Sequence, residues 1–123
     1  MFVITDAHMQ ALSVLNRSLI VEKTLAVLVQ RDGRLAQEAV RQAAETLLRQ
    51  AVNRSIDVLG CSNESCAADY AGLVYTFGFG FEHDVKVASI LARTELSIEA
   101  RLQLVFRELS DEDWSRLQAA CST

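Results

Sequence analysis

Two histidines, His8 and His83, are the side chains of this 123-residue chain that ordinarily titrate near neutral pH. His83 precedes Asp84, and such a pair could do general acid–base work if one residue oriented the other. Neighbours on one loop rarely form an oriented dyad, and no serine or cysteine motif accompanies them. The pair reads instead as a helix start, with Asp84 capping a helix from Val85 and His83 at the surface. Cys61, Cys66 and His83 carry zinc-donor atoms, but no second Cys or His pair follows, and Cys66 falls inside an expected helix. No metal ligand, cofactor or catalytic residue is therefore assigned. The three cysteines, Cys61, Cys66 and Cys121, are an odd number and are expected as thiols in a reducing compartment. Gly78-Phe79-Gly80 lacks the preceding strand and third glycine of a dinucleotide loop, and Phe79 and Phe81 would obstruct a phosphate. Glu108, Asp111 and Glu112 sit at a helix junction, where acidic groups stabilise free N–H groups.

The elements that position these residues read as helices. The chain has no proline, and the helix-favouring residues Ala, Leu, Gln, Glu and Arg together make up nearly half of it. A first helix is expected from a cap at Thr5 or Asp6 to about Arg31, where Asp32-Gly33 stops it, after an extended lead-in at Phe2-Val3-Ile4. It carries two apolar stripes: Leu12, Leu15, Leu19 and Ala26 on one side, Val14, Val21, Leu25 and Leu28 on the other. Either both are covered by the chain itself, or one is an interface. A second helix is expected over Arg34 to Leu59, closed by Gly60. A third runs from a cap at Ser62 or Asn63 to Phe77 and ends at Gly78, with Tyr70, Leu73 and Phe77 inward. Phe81 returns to the core, leaving Phe79 out of the pattern as a partner contact. Short helices follow at Val85–Arg93 and Ile98–Leu109, the latter capped by Ser97 with Leu102, Val105 and Phe106 inward. Ser110 and Asp113 have the spacing of a capping box for a last helix carrying Trp114 and Leu117. The fold expected is a single all-α domain over residues 1–123, a bundle of five to six helices.

Composition narrows the function. Half of the residues are apolar and 23% charged, as in a globular domain. Twelve Lys and Arg stand against sixteen Asp and Glu, with no basic run to neutralise phosphates, so nucleic acid is not expected as a partner. Arg41, Arg49, Arg54, Arg101 and Arg107 recur at helical spacing and read as solvated faces. The first residues lack the pattern of a signal peptide, and the longest apolar stretch, Ser18 to Val29, is broken by Glu22-Lys23. A cytoplasmic protein without a membrane partner is expected. The residues assigned to partner binding are Val14, Val21, Leu25, Leu28 and Phe79, and the same stripe is expected to pair two copies as a homodimer when no partner is present.

The run Gly60, Ser62, Glu64, Tyr70, Leu73, Phe77-Gly78, Phe81, Asp84, Ile90-Leu91, Leu96-Ser97 and Arg101-Leu102 resembles a family of small bacterial proteins encoded beside spike, PAAR and effector genes of type VI secretion clusters. Ile4-Thr5-Asp6 and Val21-Glu22-Lys23 are similar too. The resemblance implies a non-enzymatic accessory protein, a co-chaperone or adaptor that binds a secretion effector, its chaperone or a spike component before export. An alternative from the same gene setting is an immunity protein that blocks a cognate toxin, to which a net charge of -4 could be complementary. A third is a small enzyme or metal protein using His83 and the cysteines.

Overall fold

Local cap chemistry sets the helix boundaries. A computed structural model describes residues 6–121, with side chains described over 17–120. Among the described residues there are six α-helices, two short 3₁₀ turns and no strand. Helix α1 spans Asp6–Arg31. The expected lead-in at Phe2-Val3-Ile4 and a cap at Thr5 lie outside the described residues. Helices α2 (Glu38–Asp57), α3 (Glu64–Phe77), α4 (Val85–Leu91), α5 (Ile98–Glu108) and α6 (Asp111–Cys121) follow.

Four helix starts are made by the residues whose side chains suit them. Asn63 accepts from the Cys66 N–H, Asp84 from Lys86 and Val87, and Ser97 from Ala100. At α6 the Ser110 N–H donates to Asp113 Oδ2 at 2.8 Å, while the Asp113 N–H donates to Ser110 Oγ at 3.2 Å, a reciprocal capping box. Gly60 (φ 85°) and Gly78 (φ 80°) take positive φ, which a side chain would oppose. Gly78 thereby turns the chain out of α3 into the 3₁₀ turn Phe79–His83.

The second helix departs from expectation. Residues Gly33–Ala36 form a 3₁₀ turn, and Gln37 is extended (φ -79°, ψ 129°), so α2 begins only at Glu38. The cause is Asp32, whose carboxylate accepts from the Arg34 N–H and side chain and from Tyr75 Oη at 2.6 Å. Those bonds hold the chain in a tight turn before α2 can start, and the turn drops Leu35 fully into the interior.

Helix α3 lies at the centre, in contact with α1, α2, α5, α6 and the second 3₁₀ turn. Its Tyr70, Ala71 and Val74 are fully buried with Leu48 and Val52 of α2, Phe81, Val87, Ile90 and Leu102. Tyr70 and Phe81 meet with ring centroids 5.7 Å apart. Full burial of a side chain the size of Phe81 stabilises by roughly 1.5–3 kcal/mol. Phe106, expected inward, is instead 42% exposed. Leu102 and Val105 already occupy the inward face of α5, and the register leaves Phe106 at its edge.

Candidate functional site

The described half of α1 decides which stripe is buried. Ile20 and Val21 enter the core at 3% and 2% exposure, whereas Leu19 and Ala26 of the other stripe face outward. This corrects one sequence assignment: Val21 is buried in the core and is not a surface contact. Leu25 is half-buried against the core and lines a cleft between α1 and α2. Leu28, also half-buried, belongs to a different and more apolar groove. The side chain of Val14 lies outside the described residues.

That groove runs between α1 and α3 and has a volume of about 520 Å³. Helix α1 supplies Lys23, Thr24, Val27, Leu28 and Arg31, which share one helix face. Helix α3 supplies Ala68, Asp69, Gly72, Leu73, Thr76 and Phe77, and the end is closed by Phe106 and Trp114. The three aromatic rings form one stack. Phe77 and Trp114 lie 5.6 Å apart at 20°, and Phe106 and Trp114 lie 6.2 Å apart at 29°. Contacts of this kind contribute about 0.5–1.5 kcal/mol beyond burial.

Trp114 is placed by the charge network at the base of α6. Asp113, buried at 8% exposure, accepts from Lys86 Nζ at 2.7 Å and from Arg116 Nη1 at 2.8 Å in addition to its capping bonds. Lys86, the Ser110 N–H and Arg116 together hold its carboxyl well below the usual range. Arg116 also binds Asp84, the cap of α4, through two bonds of 3.0 Å. The start of α6 is thus tied to the start of α4, and Trp114, next in sequence to Asp113, is fixed at the groove's end.

Three features of the groove are not explained by core packing. Gly72 leaves a gap in the α3 wall between Asp69 and Thr76, and a Cβ there would meet no atom within 4 Å. Asp69 is half-buried and makes no hydrogen bond or ion pair with any described residue. Burial pushes its carboxyl above the ordinary value. The Thr24 hydroxyl is buried without a hydrogen-bond partner. Val27, 48% exposed, adds apolar surface on the α1 side.

Phe79 is half-buried and lines a separate pocket of about 530 Å³ with Arg54, Glu82, His83, Ala88, Leu91 and Ala92. The polar groups there hold one another. Arg54 donates to Glu82 through two bonds of 3.0 and 3.1 Å, and Tyr70 Oη donates to Glu82 Oε2 at 2.6 Å. Burial, then the Glu82 carboxylate, pushes the Tyr70 hydroxyl far above its ordinary value. Arg54 is therefore engaged rather than free on a solvated face, and so is Arg101, which donates to the Leu91 carbonyl at 2.8 Å. His83 is exposed at the rim, and Asp84 points to α4 and Arg116.

The cysteines also differ from expectation. Cys61 and Cys66 form a disulfide across the α2–α3 connection, with Cα atoms 5.9 Å apart. The turn at Gly60 and the bond from the Cys61 N–H to the Ser55 carbonyl at 2.8 Å fold Cys61 back over the first turn of α3. Both residues are buried. No group of three His, Cys, Asp or Glu side chains among the described residues could hold a metal ion. No described helix is long and apolar enough to cross a membrane.

The sequence signals for this groove were the isolated Gly72 in a helical pattern and the periodicity of α3, neither of which points to α1 and α6 as the other walls. Compared with known proteins, the chain matches no family model, no curated protein and no solved structure.

Proposed function

We propose that this protein is a non-enzymatic binding module that receives a segment of a protein partner in the α1–α3 groove. The observation that carries the reading is the groove itself: an open apolar trough of about 520 Å³ ending in the Phe77–Trp114–Phe106 stack. Concave apolar surface with a few polar groups is the usual form of a recognition site. The polar clusters elsewhere support the same reading, because Glu82, Asp84 and Asp113 are consumed in ion pairs and caps.

The biological setting proposed is that of the resembling family: an adaptor or co-chaperone that engages an effector, its chaperone or a spike component of a type VI secretion system before export. A cytoplasmic site of action goes with the dithiol form of Cys61 and Cys66, since cytosolic thiols are kept reduced, whereas the disulfide belongs to an oxidising compartment. The test is co-expression with the products of adjacent genes, comparing wild type with Phe106→Glu and Val27→Glu. Both positions are exposed, so the changes spare the core. Recovery of one neighbour by wild type and loss of it in both variants is the expected result. Equal recovery by all three would remove the groove from the interaction. A recovered toxin whose activity falls on binding would replace the adaptor reading with the immunity one.

A further inference from the structure

Resting on the groove reading, we infer that the occupant is an amphipathic helix of a protein partner that sets a lysine or arginine against Asp69. The argument for a helix comes from the walls. Both long sides of the groove are α-helices, whose backbone groups are bonded within the helix, so an extended peptide laid there would find no ladder for its N–H and C=O groups. A helix brings its own backbone bonds and offers only side chains. The wall of α1 between Lys23 and Arg31 is about 12 Å long at 1.5 Å per residue, which matches roughly two turns of a ligand helix. Anchors at i, i+3 or i+4, and i+7 span that length.

The argument for a cation comes from Asp69. It is a carboxylate in an apolar trough with no described partner, a position that disfavours its charge in the free protein. A ligand cation relieves that cost, whereas a ligand carboxylate adds to it. The two cations of the α1 wall, Lys23 and Arg31, line the same groove, and neither bonds Asp69. Gly72 lies one turn from Asp69 on the same face and leaves an unfilled notch, which gives the neighbouring apolar anchor its seat.

Trp114 is the chain's single tryptophan and stands at the end of the groove, so its emission reports occupancy directly. The probes are two tryptophan-free, acetylated and amidated amphipathic peptides, identical except for Lys or Glu at one central position bordering the apolar face. The Lys peptide is expected to shift Trp114 emission with a Kd at least tenfold lower than the Glu peptide. In Asp69→Asn, with unchanged helical circular dichroism, that ratio should fall below twofold. Equal binding of both peptides to wild type, or a ratio that survives Asp69→Asn, overturns the cation inference and leaves the groove reading standing. If neither peptide perturbs Trp114, the groove reading fails with it. Emission that changes with protein concentration alone would assign the groove to a second copy and overturn the inference.

Discussion

Replacing Gly72 by alanine should make the protein more stable. Glycine inside a helix costs about 0.5–1 kcal/mol relative to alanine because it loses more backbone freedom on folding. At Gly72 nothing offsets that gain: φ is not positive, and the added methyl meets no atom within 4 Å. With an unfolding entropy of about 2.1 cal/mol/K per residue, a chain of 123 residues shifts its Tm by roughly 4 °C per kcal/mol, so an increase of about 2–4 °C is expected. The control is Gly78→Ala. Gly78 has φ 80° and ψ 169°, a region nearly closed to other residues, and the same added methyl should cost about 1–3 kcal/mol there. Thermal melts followed by circular dichroism read both. Opposite signs are expected, and a fall in Tm for Gly72→Ala would refute the claim that the notch is open. Gly72→Leu extends the test: it should keep the fold, fill the notch and abolish the Trp114 response to peptide.

Reduction of the Cys61–Cys66 bridge should destabilise the protein by about 2 kcal/mol, the loop-closure value for a sequence separation of 5, and Cys61→Ser should show the same loss without reductant; a denaturant midpoint indifferent to dithiothreitol would refute it. Tyr70→Phe should cost about 2 kcal/mol, because the buried hydroxyl bridges the Arg54–Glu82 ion pair, and a midpoint equal to wild type would show the bridge to be dispensable. Asp84 and Asp113 have depressed folded-state pKa values, so their stabilisation is full above the unfolded carboxylate value of about 4 and is lost as pH falls through the lower folded values. Arg116→Gln should flatten that acid limb, measured as urea midpoint between pH 2 and 6, and an unchanged limb would assign the acid sensitivity elsewhere. Asp69 has the opposite sign: its raised value gives stability that is present below about 4 and is lost as pH rises, so Asp69→Asn should be stabilising at pH 7 in the same titration.

Most element boundaries were legible because each rests on one or two nearby residues. Asn63, Asp84, Ser97 and the Ser110–Asp113 pair cap helices in place, and Gly78 ends α3, whereas α2 stops at Asp57 with Val58 as its cap, short of the expected end at Leu59 and Gly60. The break at Gln37 was not legible, since it depends on Tyr75 reaching Asp32 across 43 positions of sequence. Periodicity found both stripes of α1 but could not rank them, because burial is decided by what α2 and α3 bring to each side. That is why Val21 fell in the core while Leu28 became groove wall. The disulfide was hidden for a related reason: two cysteines five apart look like loose thiols until the Gly60 turn folds one over the other. Phe79, singled out by its glycine neighbours, marks a pocket where Arg54 and Glu82 are already paired, while the α1–α3 groove is assembled from four helices and has no contiguous motif.

The central position of α3 has a kinetic consequence. This helix is a groove wall on one side and is packed on its others by α2, α5 and the 3₁₀ turn that carries Phe81, so it cannot swing outward without taking the core with it. A ligand therefore meets a trough that is already shaped, and docking requires no prior opening step. In stopped-flow mixing, the observed rate should rise in proportion to ligand concentration, with a slope of about 10⁵–10⁷ M⁻¹s⁻¹ and no plateau. Variants at the groove should then differ in how long the partner stays rather than in how fast it arrives.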